Sequence, residues 1–226
     1  MMNEFSESQP PPEHSTAVRR AREMAAHLLD GGRGSHDWEH TLRVFEICRD
    51  LGPRQGADMV VLLVAALLHD IGRCHQDNSR GAVCHAEQGA VMAGGLLAEL
   101  PLTGDQKANV VHCISAHRFR RTPHPHTIEA RVLFDADKLD AIGAVGIARA
   151  YQFAGEVGAR LHNPNHVVHN THAYSREDTG YREYQVKLRH IKDRMLTEAG
   201  RRMAEGRHRF MAQFFERFLK EIEGRL

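Results

Sequence analysis

One run constrains this chain more than any other: Val60 to Arg73, VVLLVAALLHDIGR, is aliphatic on every side until it ends in His69 and Asp70. A helix that is apolar all round has no face to offer water, so it must lie at the centre of a bundle of other helices. The carboxylate at its end is then carried into the interior, where an unpaired charge costs on the order of several kcal/mol. His69 and Asp70 therefore need partners from elsewhere in the chain, and residues 58–70 are expected to form the buried central helix.

The remaining sequence can supply such a bundle. Val18, Ala21, Ala25 and Leu28 make a helical stripe ended by DGGRGS. Leu42, Phe45 and Cys48 share a face of the next helix, which Gly52-Pro53 should stop. HAEQGAVMAGGLLAEL runs helically to Pro101, and Thr103 with Gln106 forms a capping box that opens a helix through His117. Helices follow at 127–140 and 142–154, and two amphipathic helices close the chain. In the second of these, Phe210 or Met211, Phe214 or Phe215, Phe218 and Ile222 should pack as core. Neither a strand pattern nor a glycine-rich phosphate loop occurs. The fold class is all-α.

Two stretches fall outside this pattern. Residues 1–13 carry three consecutive prolines and read as a disordered tail ahead of one domain over 14–226. Residues 155–180 have no period, are rich in Gly, Asn and His, and read as a long loop or lid. The loop histidines His162, His166, His169 and His172 lack paired zinc spacing and are read as exposed, with a lid role second.

Composition narrows the function. Lys plus Arg is 30 against 29 Asp plus Glu, a balance that argues against a nucleic-acid polymer or a membrane surface as partner. The apolar run Met59 to Leu68 is too short to span a bilayer, and no signal peptide is read at the start. Cys48, Cys74, Cys84 and Cys113 show no C-x-x-C pairing and are expected as reduced thiols in a cytoplasmic protein. The 17 histidines are the unusual count, and they direct attention to metal chemistry.

A divalent cation would offset the burial of Asp70, and neutral imidazoles with carboxylates are its usual donors. Upstream, HDWEHTLRV offers His36 and His40, four apart and on one helix face. Downstream, FDADKLDAIG offers Asp135, Asp137 and Asp140 inside an otherwise apolar helix.

HDWEHTLRV, LLHDIGR and DADKLDAIG together resemble the H…HD…D signature of the HD-domain metal-dependent phosphohydrolases. The resemblance continues through HAEQGA, ISAHRFR, TIEARVLFDADKLDAIGAVGIARA and KLRHIKDRMLTEAGRRMAEGRHRFMAQFFERF, nearly the whole chain after the tail. It is greatest to the stand-alone bacterial branch that includes manganese-dependent nucleoside-triphosphate pyrophosphohydrolases. The resemblance implies His40, His69, Asp70 and Asp137 as metal ligands, with His36 helping to begin its helix. Asp140 becomes an outer partner or helix cap, and Asp135 a hydrogen-bonded group near the site. His85 and His117 stand where di-metal relatives place extra ligands; in the one-metal branch they would hold phosphate oxygens or donate a proton. His112, five residues before His117, faces away and is structural.

Two His and two Asp leave an octahedral ion room for about two waters. Mixed nitrogen and oxygen donors suit Mn, Fe, Co or Ni better than Mg, which prefers oxygen alone, and the resemblance implies Mn first. Arg73 and Lys138 are the best-placed catalytic cations, Lys187 and Lys192 could hold a polyphosphate tail, and Glu87 could orient a water or simply face solvent. The implied activity is hydrolysis of a nucleotide or other small phosphate ester, a nucleoside triphosphate giving monophosphate and pyrophosphate. Two other readings stay open: a di-iron HD oxygenase, in which His85 and His117 both bind metal, and a catalytically idle module with a regulatory binding role.

Overall fold

A computed structural model describes residues 11–29, 38–79, 81–118, 123–163, 168 and 171–225. Helix α3, Met59–Leu68, is the spine, and from Val61 to Leu68 every residue is at most 1% exposed. Asp58 starts it by accepting the amides of Val60 and Val61, which satisfies two otherwise orphaned donors. Around it pack α1 (Thr16–Leu29), α2 (Trp38–Gln55), α6 (Gly104–Ala116) and α7 (Ile128–Asp140). The stretch Met59–Asn78 is long and apolar enough to cross a membrane, yet here its 18-residue window is 67% buried within the bundle.

Helix α2 differs from expectation at its end. It runs through Gly52-Pro53 to Gln55, because a proline in the last turn removes one hydrogen bond that the turn can spare. The chain closes instead through Gly56 N to Pro53 O at 3.3 Å. Leu28 on α1 is 40% exposed, so that stripe is narrower than its period implied.

After the HD pair comes a short helix, α4 (Arg73–Asn78), which sequence periodicity did not reveal. Helix α5 (His85–Leu96) then packs on α4 and α6. The Thr103–Gln106 capping box is present at the start of α6, and Thr127 caps α7. Helix α8 (Gly143–Glu156) leads into the 155–180 segment, whose described part folds back on itself. Arg160 N bonds Arg176 O at 2.9 Å, and buried Asn163 bridges Glu177 O and Thr179 Oγ1, both at 2.9 Å. His162 and His172 lie on this segment, while His166 and His169 fall outside the described residues.

The penultimate helix of the sequence reading is two pieces. Helix α9 (Gly180–Val186) breaks at Lys187 and continues as a 3-10 segment, Leu188–Arg194. Helix α10 (Glu198–Ile222) resolves the aromatic alternatives: Met211 and Phe215 are buried, Phe214 and Phe218 pack partly, and Phe210 is 47% exposed. The Phe215 ring stacks on Tyr184 with centroids 4.3 Å apart. At the other end, Pro12–His14 form a 3-10 turn instead of continuing a tail, since proline at a first turn loses nothing. Residues 1–10 of that expected tail lie outside the described residues. All four cysteines are free thiols.

Candidate metal centre and active site

Three packing events assemble the site. Helix α2 carries His40 and packs against α3 and α7, which brings it to His69 at the C-terminal end of α3 and to Asp137 on α7. The HD turn meets the start of α5 through Gly72, where a Cβ would stand 2.3 Å from His85 O and 2.6 Å from Gly89 N. No larger residue permits that approach, and it is what sets His85 beside Asp70. His117, capping the end of α6, completes the ring.

All four histidines are buried, from 0 to 4% exposed, and all four turn the same atom inward. His40 Nδ1 meets Asp140 Oδ2 at 2.7 Å, and His69 Nδ1 meets Ala66 O at 2.8 Å. His85 Nδ1 meets Gln76 Oε1 at 2.9 Å, and His117 Nδ1 meets Ile114 O at 2.6 Å. Each acceptor sets the proton of the neutral ring on Nδ1, so each Nε2 faces the interior and, in the neutral ring, offers its lone pair there. There His40 and His69 Nε2 stand 3.3 Å apart, and His85 and His117 Nε2 stand 3.1 Å apart. Two lone pairs at that range repel unless a proton or a metal cation lies between them.

The carboxylates complete two donor sets. His40, His69 and Asp137 form one, with Asp137 Oδ1 3.4 Å from His40 Nε2. Asp70, His85 and His117 form the other, with Asp70 Oδ1 3.3 Å from His85 Nε2 and 3.7 Å from His117 Nε2. Asp70 joins them, because its Oδ2 is also 3.8 Å from both His40 and His69 Nε2. Either set could hold a divalent ion, and nitrogen–oxygen donors of this kind suit first-row transition metals.

Charges around the ring are tuned in opposite directions. Burial lowers the His40 pKa, but Asp137 and Asp140 overcome it and raise the pKa to about 9. Burial pushes His69 down to about 4 and His85 down to about 2. Burial opposes ionisation of Asp137, yet Lys138 and His40 hold it well below the ordinary carboxylate range. With no metal, the His40 proton supplies the missing positive charge.

Arg73 Nη2 lies 3.2 Å from both Asp70 oxygens and 3.4 Å from His85 Nε2. Lys138 Nζ donates to Asp137 Oδ2 at 3.0 Å and to His117 O at 2.5 Å, and sits over the Phe134 ring. The side chains of Asp137, Arg73 and Lys138 keep 20, 16 and 11% exposure. They are the more exposed groups beside the buried histidines. Lys187 and Lys192, in contrast, are engaged in surface ion pairs with Glu183 at 2.6 Å and Asp193 at 2.8 Å. Glu87 is exposed on the first turn of α5, and His36 lies outside the described residues. His112 belongs to a different cluster, its Nε2 accepting from His126 N at 3.2 Å.

The acidic helix α7 sorts its three aspartates by angle. Residues two apart on a helix point about 200° apart, and residues three apart about 60°. Asp137 and Asp140 therefore face α2 together, while Asp135 faces α10. Asp135 accepts Leu196 N, Thr197 N and Thr197 Oγ1 at 2.7–2.8 Å, anchoring the start of α10 instead of serving the site. Asp140 is no cap: it accepts His40 Nδ1, Arg43 Nε at 2.7 Å and Arg149 Nη1 at 2.6 Å. Arg43, Arg149 and Gln76 were missed at the sequence level. Arg43 had a signal, standing three residues after His40 on one face. Arg149 and Gln76 had none.

A profile of the HD domain family matches residues 37–142, and YpgQ of Bacillus subtilis is 34% identical over 92% of this chain and 94% of its own length. This chain belongs to the HD-domain family. It is a metal-dependent hydrolase by that membership. The solved structure of YpgQ in complex with ADP superposes with a TM-score of 0.71 at 29% identity, covering 91% of this chain and 94% of that one. An HD-superfamily hydrolase from Bacillus thuringiensis gives 0.71 at 30% identity, covering 91% and 96%. These HD relatives span the chain nearly end to end, so the helices after residue 142 belong to the shared fold.

Proposed function

We propose that this HD hydrolase cleaves a nucleoside triphosphate with water to a monophosphate and pyrophosphate. The observation that carries the metal dependence is the inward convergence of four Nε2 atoms on Asp70 and Asp137. His40, His69, Asp70 and Asp137 would hold the ion, with Mn first among candidates. A divalent ion there supplies Lewis acidity at the phosphoryl group and a water of lowered pKa. Arg73 and Lys138, beside the buried histidines, meet phosphate oxygens and counter the charge that gathers on them. The Nε2 atom of His117 is placed to accept the proton of the attacking water and, once it carries that proton, to donate it to a phosphate oxygen, whereas His85, which burial keeps neutral, offers only an acceptor. The nucleotide class is supported by the ADP complex of the relative YpgQ.

One feature favours a second reading. Asp70, His85 and His117 are themselves a three-donor set, as a dinuclear oxygenase requires. Against it stands the Arg73 guanidinium, whose charge lies 3.2–3.4 Å from two of those donors and occupies the electrostatic role of a second ion. The one-metal hydrolase is therefore preferred. Purified protein should be assayed with Mn, Co, Ni and Mg separately against nucleoside mono-, di- and triphosphates. Pyrophosphate release from triphosphates supports the proposal; oxygen consumption with two irons per chain, or no turnover with any metal, overturns it.

A further inference from the structure

The four inward-facing histidines differ in what stands behind them. His69 and His117 give Nδ1–H to backbone carbonyls, and His85 gives its own to the neutral amide of Gln76. Among the four, His40 is backed by a carboxylate, Asp140, which is 1% exposed. That carboxylate is gripped from two further directions. Arg43, on α2, donates Nε to Oδ1 at 2.7 Å and Nη2 to Oδ2 at 3.2 Å. Arg149, on α8, donates Nη1 to Oδ2 at 2.6 Å and to the Asp140 backbone carbonyl at 3.3 Å.

A carboxylate with guanidinium donors on both oxygens is fixed in place and confined to accepting hydrogen bonds. The ring opposite it must then donate Nδ1–H, which turns Nε2 toward His69 and Asp137. We propose that Arg43 and Arg149 are positioning residues: acting through Asp140, they set the ring orientation and tautomer of His40 and so the affinity of the metal site. Arg149 is the informative member, since it bonds Asp140 and comes from a helix that contributes no donor to either set. The proposal rests on the one-metal reading above.

A clamp of this kind also ties α2, α7 and α8 together, and a purely structural role predicts lower stability with unchanged metal affinity in the folded protein. Two measurements separate these roles. The first is metal affinity, by competition of Mn(II) against a chelator, for wild type, Arg149→Met, Arg149→Lys and Arg149→Gln, each shown folded by circular dichroism. Loss of an outer partner of a metal-binding histidine typically costs about 10–100-fold in affinity. Arg149→Met should show that loss, and Arg149→Lys, which keeps a charged donor, should recover most of it. Should Arg149→Met fail to fold, Arg149→Gln, with an uncharged NH2 donor left, is expected to fall in between. The second is the neutral His40 tautomer in metal-free protein at pH 10, read from long-range ¹H–¹⁵N correlations. Wild type should be protonated on Nδ1, and Arg149→Met should populate both tautomers. Wild-type affinity together with an unchanged His40 tautomer in the folded variants overturns the clamp. A wild type that binds no metal overturns the metal reading, and the tautomer comparison then still judges the clamp.

Discussion

Replacing Asp70 with Asn keeps the shape of the residue shared by both donor sets and removes its charge. A unit charge pair about 4 Å apart at an effective dielectric near 20 is worth about 4 kcal/mol, which sets a floor for a bound dication. Four kcal/mol is about a thousandfold in affinity. At a metal concentration about 100 times the wild-type dissociation constant, binding stabilises the fold by about 2.7 kcal/mol. For a chain of this length, 1 kcal/mol moves Tm by about 2–4 °C, so wild type should gain about 5–11 °C on adding Mn(II). The same concentration is then only about a tenth of the variant's dissociation constant, and its gain should be under about 1 °C. The metal-free variant should still fold. Arg73, which keeps the amide oxygen but loses its charged partner, has 16% side-chain exposure, so the cost is about 1–3 kcal/mol. Differential scanning fluorimetry with and without Mn(II) reads both quantities. An Asp70→Asn protein that keeps more than half of the wild-type shift would refute the assignment of Asp70 to the metal.

Stability of the metal-free protein should peak near pH 6.5. His40 has its folded pKa raised from 6.5 to about 9, so its contribution is full below 6.5 and is lost as pH rises through 9, on the order of 3 kcal/mol. His69 and His85 have theirs lowered, so stability also falls as pH drops below 6.5, where the unfolded chain takes up protons they refuse; denaturant melts across pH 5–10 that are flat would contradict both. Metal affinity should rise by up to about tenfold per pH unit below 9, because the ion displaces the His40 proton, and chelator competition at several pH values measures this slope. Arg73→Met should lower kcat/KM for a nucleotide by at least about tenfold while the first metal stays bound, which steady-state kinetics with elemental analysis will show. Gly200→Ala should destabilise the fold by about 2–4 kcal/mol without touching the metal site, since its Cβ would stand 2.3 Å from Asp135 Oδ2 and displace a carboxylate bonded to Leu196 and Thr197.

The parts of this protein that were legible in sequence are those set by local physics. An all-round apolar run becomes a buried α3, and a Thr-x-x-Gln box caps α6, because neither depends on distant residues. His69 and Asp70 stood out for a different reason, since they end an apolar run, while the choice of His40 and Asp137 came from the resemblance to the HD-domain hydrolases. What lay behind these donors was not legible. Arg149 reaches Asp140 only because the turn after α7 folds α8 back on it, and Gln76 reaches His85 only through the short α4. The partners of Asp135 have the same origin: it is hydrogen-bonded as expected, but helix geometry turns it toward the start of α10. The break at Lys187 escaped detection too, since a seven-residue helix and a 3-10 segment share one amphipathic pattern.

The central claim is that one divalent ion sits among His40, His69, Asp70 and Asp137. Crystals grown with Mn(II) and measured on either side of the manganese absorption edge test it directly. The account predicts one strong anomalous peak within about 2.0–2.3 Å of His40 Nε2, His69 Nε2 and one oxygen each of Asp70 and Asp137. A peak confined to Asp70, His85 and His117, two peaks of equal strength, or none at all would contradict it.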